Sequence, residues 1–142
     1  MKRPAKLLYQ TNRLAYLMMM LHIVSITIYL IVVLLNMTIS WRISYVSLSN
    51  IILMLFAFLV AVKINVYDAK FQYVPFVLAI YQIYQAMNVP SGVTGSQFQF
   101  AVIASLSAAG FAILSSIISI YRNNIRSKII QESKISKNHF AK

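Results

Sequence analysis

The sequence predicts an all-α integral membrane protein, a four-helix transmembrane bundle with both termini on the cytoplasmic side. Three observations carry that expectation. Hydrophobic residues make up 60% of the 142 and charged ones 11%, with a mean hydropathy of +0.73, a balance outside the soluble globular norm. The apolar residues gather into four runs, each near the length that lets a helix cross hydrocarbon while satisfying its own backbone hydrogen bonds. The cations are also biased: a four-crossing path puts twelve of the thirteen Lys and Arg residues on one side, the side on which short loops retain them.

The segment 1–13 is basic, with Lys2, Arg3, Lys6 and Arg13. It resembles the start of a secretory signal, but the apolar run that follows is too long for one and no small-residue cleavage site follows it. The run 14–37 is therefore read as a retained first span. Within it His22 is the one ionisable side chain apart from tyrosine. An intramembrane histidine is a candidate for a proton relay or an iron ligand. A hydrogen bond from a neutral imidazole to a neighbouring helix or to Ser25 is the more ordinary role, and one histidine makes a poor metal site.

A short connection carrying only Arg42 leads to the second span, 45–62. The next loop holds Lys63, Lys70 and Asp68, the only aspartate. A proton-coupled carboxylate needs a span or a wet cavity around it, so a loop position makes Asp68 a solvated or salt-bridged charge. The third span, 73–89, is the shortest. Pro75 suits the first turn of a helix, and Pro90, Gly92 and Gly95 punctuate its exit. Tyr81, Tyr84, Gln85 and Asn88 recur at helical spacing and share one face. Such a stripe turns from lipid toward protein or a polar cavity, as interhelical hydrogen bonding or as a path for substrate, quinone or lipid headgroup.

The fourth span, 100–121, contains the clearest pattern. Ala101, Ser105, Ala108, Ala112, Ser115 and Ser119 alternate spacings of four and three, a seam of small residues at the 3.5 repeat of left-handed helix packing. A second helix approaches closely along it, from the same chain or from a partner. The basic tail, 122–142, begins as a continuation of this helix and is expected to loosen from Glu132 onward. Arg122, Arg126 and Lys128, with Lys2, Arg3, Lys6 and Arg13, are candidates for contact with anionic headgroups or a partner, at about 1 kcal/mol per cation.

Asp68 and Glu132 are the whole acidic complement, so no paired carboxylates, catalytic set or metal site can be assembled, and no cofactor is expected. The net charge of +11 flanks spans without a nucleic-acid motif, which disfavours nucleic acid as a partner. The first span lacks the glutamate required by small multidrug carriers. The sequence thus points to a non-catalytic accessory or assembly subunit that packs against larger partners in a membrane transporter or energy-converting complex of a plasma membrane, bacterial in character. The competing expectation is a small homo-oligomeric transporter or channel with a polar path along the third span.

Overall fold

The computed structural model describes residues 11–36 and 41–139, with side chains as far as residue 132. Among these residues the chain is predominantly helical and has no strand. Four helices follow in order: α1 Arg13–Asn36, α2 Trp41–Asn65, α3 Val74–Met87 and α4 Gly95–His139, with a 3-10 turn at Ala69–Phe71 before α3. Three of them, α1, α2 and α4, are long and apolar enough to cross a membrane, which marks a multi-pass membrane protein.

The boundaries differ from expectation in an instructive way. Helix α3 has only 14 residues, about 21 Å at 1.5 Å per residue, against a hydrocarbon core of about 30 Å. It stops because Asn88 turns out of the helix, its side-chain Nδ2 donating to the Tyr84 carbonyl at 2.9 Å, ahead of Pro90, which lacks an N–H and biases its predecessor away from helix. Helix α4, by contrast, begins earlier than expected. It also continues past Glu132, where the tail was expected to loosen, to His139.

Helix α4 is the axis of the fold and packs on α1 along one side and α3 along another; α2 leans on α1. The α1 stripe Ala15, Met19, His22, Ile26, Tyr29 and Val33 is buried at the same 3.5 repeat as the α4 seam. The two helices run antiparallel, so large α1 side chains enter spaces left by alanine and serine on α4. At one end Ala15, Met19, Ala57, Ala61, Ile64 and Leu78 form a closed apolar cluster. Asn12 lies at this end, where it accepts from Arg122 Nη1 at 3.4 Å and its backbone N–H donates to Asn65 O at 2.9 Å. Residues 12 and 122 therefore share an end of the bundle.

At the opposite end Tyr29, Val33, Ala101 and Ala104 enclose Val93, from the loop after α3. That loop folds inward, leaving Val93 buried. Gly95 then opens α4 with φ +62°, a left-handed conformation that glycine adopts without steric cost. Outward faces are apolar, with Leu35, Leu48, Leu55, Leu59 and Ile80 all exposed, and Trp41, Tyr45 and Tyr73 stand near helix ends with their surfaces open.

Candidate functional site

The α4 seam is fully enclosed within the chain: Ala101, Ser105, Ala108, Ala112, Ser115 and Ser119 are all buried. What the sequence presents as one stripe serves two neighbours. Toward α1, Ser115 Oγ donates to Ala15 O at 2.8 Å, and His22 Nδ1 lies 2.8 Å from Ala108 O. Toward α3, Ser105 Oγ donates to Gln82 O at 2.7 Å, and Ala112 joins Ala79 and Ala109 in a cluster. Ser116 Oγ also donates to Gln72 O. Serines at these places let helix backbones approach while giving each hydroxyl a carbonyl to bond, the arrangement lipid-embedded helices favour.

His22 is fully buried in this interface. A carbonyl oxygen can only accept, so Nδ1 carries the hydrogen and Nε2 is left as an acceptor with no partner among the described residues. Its partner is the neighbouring helix and not Ser25. His22 is not among the residues that line the cavity beside the third-span stripe.

The stripe itself lies at the Val93 end of the bundle, in a cavity of about 180 Å³ between α1, α2 and α3. Tyr81, Tyr84, Gln85 and Asn88 all line it. Gln85 Nε2 donates to Tyr81 Oη at 3.0 Å, and that hydroxyl lies 3.3 Å from Ser49 Oγ on α2. The Tyr81 and Tyr84 rings are tilted by 36° with centroids 6.5 Å apart. Gln85 is 6% exposed, yet its Oε1 has no hydrogen-bond partner among the described residues. Asn88 is exposed and serves α3 as its terminal cap. Arg42, Tyr45, Ser49 and Tyr29 also line the cavity, with Val46 and Pro90. Sequence reading did not place these residues in the site; the signal available was Arg42, the only cation between the first two spans.

The basic candidates fall at the other end. Arg13 and Lys128 are exposed, Arg122 reaches Asn12, and the Arg126 guanidinium sits 4.7 Å from the centroid of the Tyr67 ring, a cation–π contact. Lys2, Arg3 and Lys6 lie outside the described residues. Asp68 accepts from the Lys70 backbone N–H at 3.1 Å and caps the 3-10 turn, a local structural task. No group of three or more His, Cys, Asp or Glu able to hold a metal occurs among the described residues. No family model, curated protein or solved structure matches the chain.

Proposed function

We propose that the chain is a non-catalytic accessory subunit of a membrane complex, crossing a plasma membrane four times with both termini cytoplasmic and packing beside larger partners. The observation that carries this reading is the interior: the polar cavity lies at one end of the bundle, and the other end is closed by Met19, Ala57, Ala61, Ile64 and Leu78. A transporter or channel formed within one copy needs a polar route between the ends, and this cluster is apolar. The four-crossing path is supported by the charge bias and by Asn12 and Arg122 meeting at one end. Helix α3 completes its crossing with the 3-10 turn before it and the inward-folded loop after it, irregular backbone that the bilayer tolerates where it is covered by protein.

Affinity purification of the full chain in mild detergent, followed by mass spectrometry and mass determination of the intact particle, tests the reading. Larger membrane subunits recovered in fixed proportion are the expected result. A particle made of copies of this chain alone, active in a liposome flux assay, sinks it in favour of the homo-oligomeric transporter.

A further inference from the structure

Gln85 poses a chemical demand. Its amide nitrogen is used on Tyr81, whereas its oxygen is buried with nothing donating to it among the described residues, and the residue, more than nine-tenths buried, lines the cavity. Buried acceptors are ordinarily answered by a donor. The second demand comes from Arg42, whose side chain borders the same cavity, where no Asp or Glu is among the lining residues. The site therefore calls for one negative charge at Arg42 and, deeper, for a neutral hydrogen-bond donor.

Size and setting narrow the class. At about 180 Å³ the cavity is smaller than the roughly 300 to 1,000 Å³ of pockets that enclose a whole organic ligand, so it takes a small polar group. Its walls include Tyr45 on α2 and Tyr84 on α3, both exposed, and both helices bear exposed aliphatic side chains such as Leu48 and Ile80. A ligand seated here keeps apolar chains outside, along those faces. An ammonium headgroup supplies a donor, but it brings a second cation into a cavity that has no carboxylate to balance it. A phosphodiester bearing free hydroxyls meets both demands and leaves the occupied site neutral.

We propose that this cavity binds the headgroup of a phosphatidylglycerol-type lipid, its phosphate on Arg42 and a glycerol hydroxyl donating to Gln85 Oε1. This assignment stands whether or not the chain has larger partners. It is also distinct from the attraction of lipid to the basic residues at the opposite end, which does not discriminate among headgroup donors.

The test is native mass spectrometry of the full chain with equal amounts of phosphatidylglycerol, phosphatidylethanolamine and phosphatidylcholine, repeated with glycerophosphoglycerol and with inorganic phosphate as competitors. One phosphatidylglycerol should be retained in preference to the others by about fivefold or more, the ratio that one well-placed cation supplies. Glycerophosphoglycerol should displace it at high concentration and inorganic phosphate should not. Arg42→Gln, at an exposed position, and Gln85→Met, which keeps the side-chain volume, should each erase the preference, while Lys70→Gln at the opposite end leaves it intact. Thermal unfolding of each variant in detergent identifies loss of fold, and Arg42→Gln decides the matter if Gln85→Met proves unstable. Equal retention of phosphatidylglycerol and phosphatidylethanolamine, displacement by inorganic phosphate alone, or an unaltered preference in folded Arg42→Gln overturns the proposal.

Discussion

Ala108 has no exposed surface, and its carbonyl oxygen accepts from His22 on α1, so a larger side chain there must push the two helices apart. Ala108→Leu is expected to destabilise the isolated protein by about 1 to 3 kcal/mol, the usual cost of overpacking. Val102→Leu, at a half-buried position one turn and a half earlier, is the control, and equal thermal midpoints for the two variants in detergent would show that the interface does not form. His22→Leu removes one interhelical hydrogen bond. It should cost less, about 0.6 kcal/mol and not more than about 1.7, which the same melts can resolve. The small-residue seam was legible in the sequence because alanine and serine stand out at a 3.5 repeat. Its partner stripe on α1 was not: every side of that helix is apolar, so Met19, Ile26 and Val33 look no different from the exposed Leu17, Val24 and Ile28.

Among the elements, α4 offers the most direct test of packing. A methyl added at Gly110 meets no atom within 4 Å, so Gly110→Ala should gain helix propensity without a clash and stabilise the protein by roughly 0.5 to 1 kcal/mol. A fall in the midpoint would reveal a close neighbour. The turn before α3 is held differently. Asp68→Asn retains an oxygen for the Lys70 N–H and should be nearly neutral, whereas Asp68→Ala should cost about 1 kcal/mol, as cap removal usually does; equal loss in both would assign the charge itself the larger role. Sequence patterns located all four helices, since each is an apolar run between charges or turn residues. They overstated α3 because apolarity continues through Val89, whereas the helix ends where Asn88 caps it and Pro90 follows. They understated the tail because a polar, basic composition suits an exposed helix as well as an irregular chain.

For the whole molecule, single cysteines report the path directly. Placed at Ser96, between α3 and the body of α4, a cysteine should react with an impermeant thiol reagent added outside, and ones at Ala69 and Ser127 should react only after the membrane is opened; all three positions are exposed. Labelling of Ser127→Cys from outside would mean an odd number of crossings, as three spanning helices alone imply. The cavity was only partly legible at this scale. The Tyr81, Gln85 and Asn88 periodicity gave one wall, but Arg42, Ser49 and Tyr29 arrive from other helices, and no local pattern records which helices meet. The length of α4 carries a mechanical consequence. It is one unbroken rod of 45 residues, about 68 Å, more than twice the thickness of the hydrocarbon it crosses. The Arg126 contact with Tyr67 lies past the buried seam, and the helix runs on beyond it to His139. A load applied near His139 would therefore meet this contact before it reaches the buried seam, where Ser105 and Ser115 tie the rod to its neighbours.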